Sequence, residues 1–217
     1  TLFRSNTIDS LVENDTYGNI LPCGAESWEV SEDGLTWTFH LRAGQYWYDA
    51  DGNQKDPVTA NDYVAAARYV CDSAMDCANS YLMDGWIVNA EELLNYTAAL
   101  LASPVEQGTE VGIIYEGSEW NKETEKYDTW TEIPAVTPEE LGVEAVDDLT
   151  LVYHMVKPRP YFLTALQFGT YWPAPASLLA ELGENYGLDN YSMWFNGAYL
   201  LSEFKPQEKR IYTKNVN

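Results

Sequence analysis

The sequence predicts an α+β fold, on three observations. First, Leu35 to Arg42 alternates without a break, with Leu35, Trp37, Phe39 and Leu41 on one face and Thr36, Thr38, His40 and Arg42 on the other. A two-residue period belongs to a strand with one buried and one wet face. Second, helix-start chemistry recurs, at Thr59 with Asp62 three positions on and at Thr137-Pro138-Glu139-Glu140. Third, strand and helix patterns mix without a strict βαβ rhythm, as in the α+β class.

The elements follow in order. Residues 7–15 place Ile8, Leu11 and Val12 at helical spacing and predict a short helix. Tyr17-Gly18-Asn19 turns the chain, and Pro22 to Trp28 leads into a hairpin whose turn, Glu32-Asp33-Gly34, ends on a glycine free to take positive φ. After the alternating strand, Ala43-Gly44 breaks it and Tyr46-Trp47-Tyr48 adds an aromatic patch. A second turn, Asp49 to Asn53, leads to Pro57–Asp62, where Thr59 caps a helix. Asp62 sits where a side chain reaches back to the cap amide, a place usually held by Glu or Gln. That helix runs to about Asp72 with Tyr63, Val64, Ala67, Val70 and Cys71 inward. Asp76 to Asp84 is less regular. Ile87 to Ala102 is helical again, with Leu93, Leu94, Ala98 and Leu101 inward, and Ser103-Pro104 ends it.

Val111–Glu116 and Lys126–Ile133 predict two strands, with Gly117 to Glu125 turning between them as an exposed hairpin. Thr137 to Gly142 combines a cap, a first-turn proline, a capping-box glutamate and a closing glycine, hence one helical turn. Leu149, Leu151, Tyr153 and Met155 alternate with Thr150, Val152, His154 and Val156 as a half-buried strand. Tyr161 to Phe168 is a short helix packed by Phe162, Ala165 and Leu166, and Ser177 to Leu182 is another, stopped by Gly183. Gly197–Phe204 and Glu208–Lys214 form a last strand pair around Lys205-Pro206.

Composition narrows the function classes. The chain has 217 residues, enough to bury a core, and its 46% hydrophobic content argues against disorder. Its net charge of -22, from 34 acidic and 12 basic residues, repels nucleic acid and anionic membranes. No apolar run approaches the ~20 residues that span a bilayer. The 8 Trp and 16 Tyr suit core edges and ligand walls alike, so their number decides nothing by itself. Of three cysteines at least one is unpaired; Cys71 and Cys77 either bridge or remain two ordinary thiols. No zinc-like ligand spacing occurs, so no metal or cofactor is expected.

Catalysis has few handholds. Glu13, Asp15, Asp49, Asp51, Glu91 and Glu92 are candidates for an acid–base pair, but acids are everywhere and nearly all should be solvated. His40 and His154 each fall on the polar side of a strand, with no Gly-x-Ser-x-Gly nucleophile and no glycine-rich phosphate loop in the sequence. Asp49-Ala50-Asp51-Gly52-Asn53 faintly resembles a calcium loop without its closing glutamate, and reads better as an enlarged hairpin turn.

Three blocks carry a resemblance. Trp28, Asp33-Gly34-Leu35-Thr36, Thr38-Phe39-His40-Leu41-Arg42-Ala43-Gly44, Trp47 and Pro57-Val58-Thr59-Ala60-Asn61-Asp62-Tyr63 form the first. Gly142 to Leu151 leading into Lys157-Pro158-Arg159-Pro160-Tyr161-Phe162-Leu163 is the second, and Asn196-Gly197-Ala198-Tyr199-Leu200-Leu201 leading into Lys214-Asn215 the third. In this order the blocks resemble the extracellular solute-binding proteins of peptide and nickel ABC transporters, of the oligopeptide-binding type. The resemblance implies a type II periplasmic-binding-protein-like fold, here a partial chain. Residues 9–175 would be the small α+β domain of the first lobe, and 1–8 and 176–217 flanking parts of the main first-lobe domain. Thr1-Leu2-Phe3-Arg4 reads as the interior of a longer chain with a signal peptide, often a lipid-bearing cysteine, and a second lobe.

The function so implied is capture of an oligopeptide and its delivery to an ABC permease in the membrane, by a monomer that is no enzyme and needs no cofactor. It would stand outside the cell as a lipid-anchored protein, or in a periplasm. Nickel chelates, oligosaccharides and haem are the alternatives within the family; a secreted glycan-active enzyme or carbohydrate-binding module is the alternative outside it. The ligand-wall candidates are Phe168, Tyr171 and Trp172 in the loop between two helices, Trp194 and Asn196 near the domain junction, and Tyr81. The family often presents a tyrosine to ligand in the Tyr81 region, where this sequence has Ala78 at the matching place. For each aromatic the alternative role is packing between domains.

Overall fold

A computed structural model describes residues 6–102, 113–116, 120–121, 126–127 and 130–216. Along the chain run β1 (Val12–Asn14), β2 (Ile20–Pro22), β3 (Ala25–Val30), β4 (Thr36–Leu41), β5 (Tyr46–Tyr48), β6 (Gln54–Pro57), α1 (Ala60–Val70) and α2 (Ala90–Ala102). There follow β7 (Ile113–Glu116), β8 (Trp120–Asn121), β9 (Lys126–Tyr127), β10 (Trp130–Ile133), β11 (Val143–Asp147), β12 (Thr150–His154), α3 (Phe162–Ala165), α4 (Ala176–Leu182), β13 (Tyr199–Lys205) and β14 (Lys209–Lys214). The mixture is the α+β class expected.

The aromatic strand is the centre. β4 lies inside an antiparallel sheet of order β11-β12-β4-β3, with Phe39 opposite Leu151 on one side and Trp28 on the other. Trp37, Phe39 and Leu41 are buried while Thr36, Thr38 and His40 are half-buried, as the alternation requires. Phe162 of α3 closes this face: its ring lies 5.5 Å from Trp37, 5.3 Å from Tyr153 and 5.4 Å from Tyr171, all at steep angles. Such edge-on contacts bring positive ring edges to negative faces.

Asp62 ties this core to the helices. Its carboxylate accepts from Thr59 N at 2.8 Å, closing the capping box, from Trp47 Nε1 at 3.0 Å, and from Ala176 N at 2.8 Å at the start of α4. Burial pushes the Asp62 carboxyl above its ordinary value, against the pull of those N–H donors. The capping turn at Pro138–Glu140 also forms, Thr137 N donating to Glu140 Oε2 at 2.7 Å.

Several expectations change. Residues 7–15 are not a helix. Val12–Asn14 pairs with Ile20–Pro22, and the backbone of Ser10 and Leu11 accepts from Gly24 and from Cys23 and Ala25. Ile8, Leu11 and Val12 are still buried, so tertiary pairing satisfies the same apolar residues with extended backbone. In α2, Leu93 is buried and Leu94 half-buried, but Ala98 is exposed and Leu101 is 61% exposed. Ala99 is buried instead, and half-buried Thr97 bonds through Oγ1, donating to Leu93 O at 2.8 Å and accepting from Ser73 N at 2.9 Å. The expected stop at Ser103-Pro104 lies outside the described residues.

Of the predicted hairpin at 111–133, Ile113–Glu116 pairs with Trp130–Ile133, but Trp120–Asn121, expected in the turn, is strand β8 and pairs with β9; residues 111–112, 117–119, 122–125 and 128–129 lie outside the described residues. Leu149 is exposed, while Val152, expected on the wet face of β12, is buried. The helix expected over Tyr161–Phe168 contracts to Phe162–Ala165. Cys23, Cys71 and Cys77 are all free thiols. Cys71 Sγ lies 3.6 Å from Met83 Sδ, and burial first, then Cys77 and Asp84, pushes its thiol up to about 12.

Candidate functional site

Phe168 ends the turn after α3, and Gly169–Tyr171 winds into a short 3-10 turn. Two side chains of this turn grip a second segment, 79–85, that carries its own 3-10 turn at Ser80–Leu82. Thr170 Oγ1 donates to Asn79 O at 3.4 Å, and Tyr171 OH donates to Leu82 O at 2.6 Å. Arg159 Nη2 adds a third bond, to Gly85 O at 3.0 Å. Two irregular segments, remote in sequence, are thus laid side by side by side-chain donors on backbone carbonyls; the Leu82 and Gly85 carbonyls take theirs there, while Asn79 O also accepts from Leu82 N at 3.0 Å.

This seam separates the predicted residues. Phe168 is 52% exposed and Tyr81 is 63% exposed, so both present aromatic surface outward. Tyr171 does not: it is 2% exposed, its ring 6.1 Å from Tyr153. Burial first, with the Cys71 thiol adding to it against the pull of Arg159, pushes the Tyr171 hydroxyl well above its usual range. Its place is in the core, supporting the 79–85 segment from beneath. Trp172 packs partly buried against the core, and its Nε1 is buried without a hydrogen-bond partner among the described residues.

Trp194 and Asn196 belong to another place. Asn196 Oδ1 accepts from Asp9 N at 2.9 Å, and its Nδ2 donates to Asp9 O at 3.4 Å. The next residue, Gly197, donates from its backbone to Thr7 O at 3.0 Å, and a Cβ there would sit 2.8 Å from the Thr7 carbonyl carbon. Only glycine fits that approach. Phe195 exchanges two backbone bonds of 2.8 Å with Tyr48, while Trp194 lies half-buried with Lys55 Nζ 5.8 Å from its ring. Asn196 therefore clasps the stretch entering the sheet region to the stretch leaving it, a structural task.

The polar candidates resolve similarly. Asp49 accepts from the backbone of Asp51 and Asn53 and lies 2.9 Å from Lys55 Nζ. Slight burial opposes its charge, but Lys55 and Asn53 outweigh it and hold the carboxyl at about 2. The Asp49 oxygens are thus occupied by the loop's own donors. His40 and His154 lie 3.6 Å from Glu29 and Glu144 on neighbouring strands. Sequence reasoning missed the β1–β2 hairpin's link to the seam: Asn14 Nδ2 donates to Gln167 Oε1 at 2.6 Å and Gln167 Nε2 returns a bond to Asn14 Oδ1 at 3.1 Å. Nothing local to either amide signals that pairing.

Known proteins place this architecture. The family profile described as bacterial extracellular solute-binding proteins, family 5 middle, matches residues 19–217. The oligopeptide-binding protein AmiA of Streptococcus pneumoniae is 29% identical over 217 residues, covering 99% of this chain and 27% of its own length. The oligopeptide ABC transporter substrate-binding domain of Bacillus anthracis superposes with a TM-score of 0.73 at 28% identity, over 98% of this chain and 32% of that one. Listeria monocytogenes OppA, solved bound to peptide, gives a TM-score of 0.70 at 28% identity, over 98% and 33%. The chain thus spans about a third or less of the proteins it matches. Its three sequence blocks, its sheet and its matched profile agree: the chain belongs to the bacterial extracellular solute-binding proteins, family 5.

Proposed function

We propose that the intact protein captures oligopeptides outside the cell for an ABC importer and delivers them to a permease in the membrane. What carries the reading is the family match over 199 of 217 positions (residues 19–217), together with relatives named for oligopeptide binding. The seam agrees with it. Exposed Phe168 and Tyr81, on segments held rigid from beneath by Thr170 and Tyr171, suit stacking against an extended chain. The protein acts by closing over its ligand, which biases the closed state, and breaks no bond.

In this reading residues 9–175 are the small domain of the first lobe and the flanks belong to its larger neighbour. The clasp of Asp9 and Thr7 on Asn196 and Gly197 sets the entry into that domain against the C-terminal flank, well past residue 175. The protein works as a monomer, anchored by lipid at the membrane or free in a periplasm. Phe168, Tyr81 and Trp172 contribute one wall, held by Tyr171, and Trp194 offers a separate half-buried aromatic beside the Asn196 clasp.

Calorimetric titration of the intact protein with a peptide mixture, then with single peptides, tests the proposal. Tyr81→Ala and Phe168→Ala should each weaken binding by about 1 kcal/mol, roughly fivefold in Kd, the worth of an aromatic contact. Unchanged affinity in both variants would remove the seam from the ligand wall.

A further inference from the structure

We propose that Arg159, framed by Trp86 and Tyr161, is a carboxylate-binding subsite at one end of the aromatic seam; this rests on the peptide-binding reading above. The guanidinium carbon lies 4.4 Å from the centroid of the Trp86 ring, and that ring meets Tyr161 edge-on at 5.5 Å. Nη1 donates to the Tyr161 hydroxyl at 3.0 Å and Nη2 to the Gly85 carbonyl at 3.0 Å. Both acceptors are neutral. Among the described residues no carboxylate lies within 4.0 Å of this guanidinium. Arg42, Lys157, Arg210 and Lys214 likewise lack a carboxylate at that distance among the described residues; what sets Arg159 apart is that neutral groups, Trp86, Tyr161 and Gly85, hold its guanidinium in place.

The donor inventory shows what is left over. A guanidinium carries five N–H groups and cannot lose its charge. One on each Nη is used, and Nε is buried without a partner among the described residues. Each terminal nitrogen therefore keeps one N–H. The Tyr161 hydroxyl, having accepted from Arg159, still has its own proton to give, and Tyr161 is 54% exposed. Paired N–H groups of fixed geometry beside an O–H match the two oxygens of a carboxylate. Stacking on the indole holds the guanidinium plane fixed while leaving its rim free.

Position links this group to the seam. Gly85, which Arg159 holds, lies on the segment that presents Tyr81, and the Tyr171 hydroxyl on Leu82 O senses the Arg159 charge. A ligand lying along Tyr81 and Phe168 would set its carboxylate, from a chain end or from an acidic side chain, on Arg159 by way of the segment that Gly85 and Tyr81 share.

The test uses the intact protein and three peptides of one length: neutral with an amidated end, neutral with a free carboxylate, and aspartate-bearing with an amidated end. Calorimetry is run on wild type, Arg159→Gln, Arg159→Lys and Tyr161→Phe. One carboxylate-bearing peptide should bind about tenfold tighter than the neutral amide in wild type, as a charge-assisted pair allows. The arm that does so identifies the carboxylate's source. That preference should vanish in Arg159→Gln and weaken in Arg159→Lys and Tyr161→Phe, over and above any shift in Kd common to all three peptides from loss of the Gly85 bond. A preference that survives Arg159→Gln, or equal weakening of all three peptides, would make Arg159 a brace for Gly85 and overturn the subsite. If wild type binds no peptide, the peptide reading fails separately. Glutarate titration followed by the Arg159 guanidinium nitrogen resonances then decides the subsite: a saturating shift supports it, no shift overturns it.

Discussion

Removing the Asp62 carboxylate should be among the costliest single changes in this chain. Asp62→Ala leaves Trp47 Nε1, Thr59 N and Ala176 N without their acceptor, and Trp47 is fully buried. An orphaned buried donor costs about 1–3 kcal/mol, and Thr59 recovers part of its loss at the helix start, where water reaches it. The sum is about 3–6 kcal/mol, a large share of the 5–15 kcal/mol typical of a domain. Asp62→Asn separates the contributions. Oδ2 receives both Trp47 and Thr59, so a carbonyl placed there keeps both, while the amide nitrogen meets the Ala176 N–H in place of Oδ1. One bond is lost and a buried charge is relieved, for a net cost of about 1–2 kcal/mol. Urea unfolding of wild type and both variants, with m-values compared, is the assay. A loss under 1 kcal/mol in Asp62→Ala, or equal losses in the two variants, would refute the three-donor account.

Three further outcomes are expected. Phe39→Ala and Trp37→Ala should each cost about 3–5 kcal/mol, as deletion of a large buried aromatic does, and unchanged urea midpoints would contradict the sheet assignment. Gly24→Ala should destabilise, because its new methyl would meet Ser10 O and Tyr63 OH at 2.8 Å; a thermal midpoint equal to wild type would show that these neighbours yield freely. Asp49 is held at about 2 when folded, below its ordinary 3.8. Its contribution to stability is therefore complete above pH 3.8 and is lost as pH falls toward 2, removing the grip on Lys55 and Asn53. Carboxyl-carbon NMR titration should show this late protonation, and a midpoint near 4 would contradict it.

Much of the fold was legible where chemistry is local. The alternation about Phe39 requires a strand in any context, and Thr59-Ala60-Asn61-Asp62 carries its own cap. What could not be read depends on partners far along the chain. Asp62 reads as a capping residue, yet Ala176, 114 positions away, also depends on it. Residues 7–15 have helical spacing, but the amides of Cys23 to Ala25 claim their carbonyls. Thr97 drops out of an apolar pattern although its hydroxyl ties α2 to Ser73, 24 positions away.

The candidate site divides the same way. Phe168, Tyr171 and Trp172 look alike in a loop; only the Leu82 carbonyl, 89 positions from Tyr171, decides that Tyr171 faces in while Phe168 faces out. Asn196 reads as a wall candidate near the junction, and that Asp9, 187 positions away, occupies both its amide atoms shows only in three dimensions. Arg159 drew attention only as part of a matched block, because a missing counterion is a property of three-dimensional neighbours.

The central claim is peptide capture, and native mass spectrometry of the full-length protein, freed of any lipid anchor and purified gently from cells, tests it most directly. The account predicts a ladder of adducts with the masses of small peptides, displaced by added peptide. A single non-peptide adduct, or a protein that stays empty when a peptide mixture is added back, would contradict it.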